Sequence, residues 1–243
     1  MNNYKWFIIS IIATGFVLYG NTLGHQYALD DTIVITENKF ARNGFSGLKD
    51  IFAHDSFTGF FGTKKDLVDG GRYRPLSIAT FAIEYEIFGP KPFVGHLINI
   101  LLYIATGMVL FFLLRRIALD LHITEPQWLA FICSLMFMVH PVHTEVVANI
   151  KGRDELMALL FGLLAWMTVL YMRTNNIKSL FLTALLLFLG LLSKENAVVF
   201  LFMLPFLFLA GQETIGQNII WLVGSNAGAV YLIFCVKVPG NRF

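Results

Sequence analysis

A chain of 243 residues with 56% hydrophobic and only 14% charged side chains has a mean hydropathy of +0.67, above the range of soluble globular domains. Its net charge of +2 forms no basic stripe, which leaves nucleic-acid binding without support. Both cysteines, Cys133 and Cys235, fall inside apolar runs, where they suit small buried hydrophobes better than a disulfide or metal pair.

Uncharged stretches at 6–24, 92–114, 126–144, 156–172, 179–193, 196–212 and 214–236 predict about seven crossings of an all-α polytopic membrane protein, since a helix needs ~20 apolar residues to cross a bilayer core. The first stretch is longer than a signal-peptide apolar region and no small-x-small site precedes His25, so it reads as a signal anchor. The fifth is short even with Lys178 and Lys194 snorkelling, which fits a tilted or shallow seat. Arg115-Arg116 after the second stretch, and Arg173 with Lys178 after the fourth, belong on the cytoplasmic side, as does Lys5. The amino terminus is then inside. Counting crossings puts residues 25–92, 140–155 and 193–196 together on the exoplasmic side.

The long first loop, 25–92, alternates acids and bases and forms a small aqueous subdomain. Phe45, Leu48 and Phe52, and less regularly Leu76, Ala79, Ile83 and Phe88, recur at helical spacing. They predict amphipathic helices lying on the membrane and roofing the bundle. Pro75 suits the first turn of the second helix and Gly89-Pro90 its end.

Four polar clusters share that side: Asp30-Asp31, Arg72-Tyr73-Arg74, "HPVHTEVVANIKGRDE" at 140–155, and Lys194-Glu195. Ionisable groups near membrane depth are costly unless paired or facing a wet cavity, so they are functional candidates. Adjacent carboxylates such as Asp30 and Asp31 can supply a general base, because like charge and desolvation raise a carboxyl pKa. They can equally hold a divalent cation, or simply start a solvated loop or cap a helix. Arg72, Arg74, Lys151, Arg153 and Lys194 together can clamp a phosphate, whereas any one of them alone suits snorkelling to lipid head groups. His140 and His143, three apart, with Glu145 beyond them, have zinc-like spacing, but Pro141 interrupts the backbone pattern a helical site would use. Structural hydrogen bonding is their alternative, with Gly152 ending one element and Asp154 capping the next.

The strings "YALDDTIVITEN", "RYRPLSIATFAIEYEIFG", "GHLINILLY", "VHPVHTEVVANIKGRDELMALLF" and "LLSKENAVVFL" resemble, in order and spacing, the transmembrane and tetratricopeptide-repeat O-mannosyltransferases and their bacterial relatives. These belong to the GT-C superfamily of lipid-sugar-dependent glycosyltransferases, and the likeness runs from about Tyr27 to Val199. It implies a GT-C-like helical module whose first exoplasmic loop carries the catalytic pair, Asp30 as general base and Asp31 as its partner. It implies a polyprenyl or dolichyl phosphate sugar as donor, mannose in the best-known members, and a hydroxyl acceptor, protein Ser or Thr, attacking with inversion. Arg72, Arg74, Lys151, Arg153 and Lys194 would neutralise the lipid phosphate. His140, His143, Glu145, Asp154, Glu155 and Glu195 would contact substrate or hold the site, and any divalent cation would fall to Asp30, Asp31, His140 or His143. The family continues into repeats, while this sequence stops at "VKVPGNRF", so residues 1–243 are expected to form a single GT-C-like module, truncated relative to the family: a minimal module, a truncated gene or an amino-terminal fragment.

Two other classes compete. A transporter would place charges near the bilayer midplane and reaching both sides, whereas these gather at one side. A non-catalytic scaffold on the same fold is the other, since a fold outlives its function.

Overall fold

The computed structural model describes residues 4–28, 30–63, 72–171 and 177–210, and every regular element among them is helical. α1 (Lys5–Tyr19) runs into a 3₁₀ turn, Gly20–Gly24. The loop that follows holds a π-turn, Thr32–Thr36, and four helices: α2 (Lys39–Arg42), α3 (Leu48–Ala53), α4 (Thr58–Phe61) and α5 (Pro75–Phe88). Then come α6 (Pro92–Asp120), α7 (Pro126–Val139), α8 (His143–Ala148), α9 (Arg153–Tyr171), α10 (Ile177–Ser193) and α11 (Val198–Ala210).

Three segments, Lys5–Gly24, Pro92–Asp120 and Ile150–Tyr171, are long and apolar enough to cross a membrane, and Pro126–Val139, Ile177–Ser193 and Glu195–Leu204 are shorter apolar helices. The chain is an all-α polytopic membrane protein. Helix therefore occupies six of the predicted runs; the run at 214–236, Cys235, Arg173 and the loop charges Lys64, Lys65, Asp66 and Asp69 lie outside the described residues. Cys133, half-buried on α7, is a free thiol.

Packing between spans rests on small residues, as expected where lipid is as apolar as leucine. A Cβ at Gly15 would overlap Ile104, and one at Gly107 would stand 2.6 Å from the Met138 sulfur, so α1 and α7 close tightly on α6. Around these contacts Ile11, Tyr103, Ile104, Phe111 and Met138 form one core. Ala165, Val169, Leu187, Leu201 and Leu204 form a second between α9, α10 and α11.

The loop subdomain is tied by Asn38, whose Oδ1 accepts from Phe40 N and Ala41 N while its amide donates to the Ile33 and Ser56 carbonyls. α5 begins at Pro75 and ends before Gly89, whose φ of 70° suits glycine, as expected. The structure shows which side chains of this roof pack on protein and which stay uncovered. Ala41, Ile51, Ile78, Ala79 and Ala82 make the buried contact, whereas Phe45, Phe52, Ile83 and Phe88 are exposed. Alanines permit the close approach of α2 and α5, and the bulky side chains are turned outward.

Candidate functional site

The site is built on a short turn. α7 stops at Val139, just before Pro141, and α8 leads to a 3₁₀ turn, Ile150–Gly152, which Asn149 caps through Lys151 N at 3.2 Å. Asn99 of α6 secures this turn by donating to the Asn149 and Ile150 carbonyls at 2.9 and 3.3 Å. Gly152 fits because a Cβ there would strike the Val146 carbonyl. The turn thus offers Lys151 to the first loop.

There Asp31, 1% exposed, accepts from Lys151 N at 2.8 Å and from Ala28 N at 3.0 Å. Burial raises its carboxyl above the usual range, against the lowering effect of those two N–H donors. Its neighbour Asp30 points outward and meets Lys151 Nζ at 3.2 Å. Residues 120 positions apart therefore share one point.

Asp30 and Lys151 line a cleft of about 100 Å³ with Arg72, Arg74, Asp154, Ser56 and Ser77, its apolar wall made by Ile33, Val34, Phe57, Ile78 and Phe81. Arg72 lies over the Phe57 ring, 5.4 Å from its centroid. Arg74, just before α5, donates from Nη1 to Asp154 Oδ2 at 2.6 Å, from Nε to Glu195 Oε2 at 2.8 Å, and from Nη2 to Glu195 Oε1. Burial works against its charge, but Glu195 and Asp154 hold it above the ordinary arginine range. Asp154 and Glu155 stand in the first turn of α9, where the helix dipole favours acids. Lys194 pairs with Glu155.

Arg153 departs from the phosphate-binding expectation. It is fully buried, and all five guanidinium N–H groups have partners: Nε gives to Asn99 Oδ1 at 3.0 Å, Nη1 to Thr80 Oγ1 at 3.1 Å and to Glu84, and Nη2 to Glu84 Oε2 at 3.2 Å and Gly95 O at 3.1 Å. No donor is left for a ligand. Its plane covers Phe81 at 4.4 Å, so it braces α5, α6 and α9 behind the cleft wall. The histidines also stand apart from the cleft. His140 Nδ1 accepts from Val142 N at 3.2 Å, and His143 packs on Phe137 with ring centroids 4.2 Å apart. Burial lowers the His143 pKa. Glu145 is exposed on α8. Among the described residues no group of three or more His, Cys, Asp or Glu converges as metal ligands.

Sequence reading missed Glu84, which it counted as a solvated loop charge, and the wall residues Ser56, Phe57, Ser77 and Phe81. The signal for Glu84 was present in Thr80 and Glu84, four apart on one helix face, and in Asn99, a polar residue inside an apolar run.

A family model described as dolichyl-phosphate-mannose-protein mannosyltransferase matches residues 74–237. A protein O-mannosyl-transferase of Caenorhabditis elegans is 32% identical over 79% of this chain and 26% of its own length. Mouse protein O-mannosyl-transferase TMTC1 is 35% identical over 62% of this chain and 15% of its own length. Drosophila melanogaster protein O-mannosyl-transferase Tmtc2 is 32% identical over 81% and 21%. The chain thus spans about a quarter or less of the length of these curated relatives. No solved structure matches it significantly.

Proposed function

The chain belongs to the dolichyl-phosphate-mannose-protein mannosyltransferase family, and from that premise we propose that its Asp30 cleft transfers a sugar, mannose, from a polyprenyl or dolichyl phosphate to a serine or threonine hydroxyl of a protein. The observation that carries this reading is the meeting of Asp30 and Lys151, at 3.2 Å, inside a cleft that also presents Arg72 and Arg74. One carboxylate and several cations in one hollow suit a reaction that takes a proton from the acceptor hydroxyl on one face of the anomeric carbon and releases a phosphate from the opposite face.

Asp30 takes the proton of the acceptor hydroxyl as its oxygen bonds to the anomeric carbon. The bond from that carbon to the phosphate oxygen breaks, and its electron pair leaves with the lipid phosphate. Attack opposite the leaving group inverts the anomeric centre. Arg72, Arg74 and Lys151 stabilise the charge that grows on the phosphate; Lys194 stands beyond Glu195 and joins them only if its own pair opens. Asp31 holds the Lys151 backbone, and so the ammonium, in register with Asp30. Arg153 keeps the wall in place from behind. In this reading the donor's tail runs beside the long apolar helices, the amino terminus is cytoplasmic and the site exoplasmic.

The test is transfer itself. The chain reconstituted in vesicles with polyprenyl phosphate mannose and a serine- and threonine-containing peptide is expected to yield mannosyl peptide with the anomeric configuration opposite to the donor's. A product that keeps the donor's configuration, or no product, overturns the reading.

A further inference from the structure

A second cavity, of about 230 Å³, is lined by Glu155 of α9, next in sequence to Asp154 of the first cleft. Its walls include Tyr103, His143, Leu156, Leu159 and Phe200, and Lys194 and Glu155 stand at its edge. It is mostly apolar. The connection from α10 to α11 is tied to the linings of both by two ion pairs of opposite sense: Glu195 to Arg74 of the Asp30 cleft, and Lys194 to Glu155 of the second cavity. Both outer carboxylates are solvent-accessible, Glu195 at 61% and Glu155 at 45% side-chain exposure, while the cations they hold are nearly covered, at 9% for Arg74 and 12% for Lys194. Asp154 remains on the far side of Arg74 at 2.6 Å, buried, so the guanidinium stays anchored if Glu195 leaves. A buried cation fork carrying an exposed carboxylate is a site already occupied by an internal anion. Another anion of matching geometry can replace it without stranding the arginine.

We propose that Glu195 and Glu155 are displaceable counter-anions: a phosphate monoester or diester takes their places on Arg74 and Lys194, and an isoprenoid chain attached to it occupies the second cavity. This rests on the reading of the Asp30 cleft as a phosphate-handling site. The two ion pairs then form a latch that is closed when no donor is bound, and the phosphate opens it by exchange. Because the competing carboxylates belong to the chain, the apparent affinity for the phosphate is reduced by the fraction of time the latch is closed.

The experiment measures binding of inorganic phosphate and of farnesyl phosphate to the full chain in detergent. Farnesyl phosphate is expected to bind more tightly than inorganic phosphate, because its chain fills the apolar cavity; equal binding overturns the assignment of that cavity. Glu195→Gln is expected to tighten farnesyl phosphate about fivefold, the effect of removing one partly exposed ion pair. In an Arg74→Gln background the same change has no effect, whereas a general gain from removing negative charge persists there. The Lys194→Gln and Glu155→Gln pair gives the same cycle if Arg74→Gln does not fold. Binding that is unchanged or weakened by Glu195→Gln, or tightened equally without Arg74, overturns the latch and leaves the phosphate site standing. Failure of the wild type and every variant to bind either phosphate overturns the latch together with the reading on which it rests.

Discussion

At Asp31 a buried carboxylate accepts two backbone N–H groups, yet burial still raises its pKa. Its unfolded value is about 3.9, so the folded protein holds this proton more tightly than the unfolded chain does. Asp31 therefore favours folding below that value, and the contribution is lost as pH rises through the higher folded value. Asp31→Asn cannot ionise. The melting temperature of the wild type in detergent is expected to fall relative to the variant's across that window, and parallel profiles would contradict a buried ionisation. Arg153 shows what a charge pattern omits. Residue type and sidedness put it with Arg74 and Lys151, but burial and five filled donors make it a brace. Sequence shows which charges share an end; the rotation of α9 decides which of them face the cleft.

Among the elements, the turn Ile150–Gly152 controls the site, since it sets Lys151 against Asp30 and Asp31. A Cβ at Gly152 would meet the Val146 backbone carbonyl rather than a side chain able to move, while at Gly20 it would meet nothing within 4 Å. Gly152→Ala is expected to cost about 1–3 kcal/mol, the range for overpacking, and Gly20→Ala close to nothing. Thermal unfolding of the two variants side by side checks this, and equal melting temperatures would contradict it. Helix positions were legible because long apolar runs and the punctuation of Pro75, Gly89 and Pro141 report backbone requirements directly. The buried faces of α3 and α5 were not. At a lipid surface an exposed Phe45 or Phe88 carries no penalty, so periodicity finds an apolar face without showing whether protein or lipid covers it.

Over the whole molecule, the bundle gathers Asp30, Arg74, Lys151, Asp154 and Glu195 at one end through contacts such as Arg74 to Asp154 and Lys151 to Asp30. The grouping was legible from two features of the chain, the count of apolar runs and the bases by which the sequence assigns loops to one side or the other. The pairing was not, because helix tilt and register choose each partner and neither is written in composition. The account's central claim is that Asp30 acts on the acceptor hydroxyl, and the rate of mannose transfer by Asp30→Asn against the wild type tests it most directly. With the variant folded, the rate is expected to fall about a hundredfold to ten-thousandfold, the contribution of a positioned general base; transfer at the wild-type rate would contradict it.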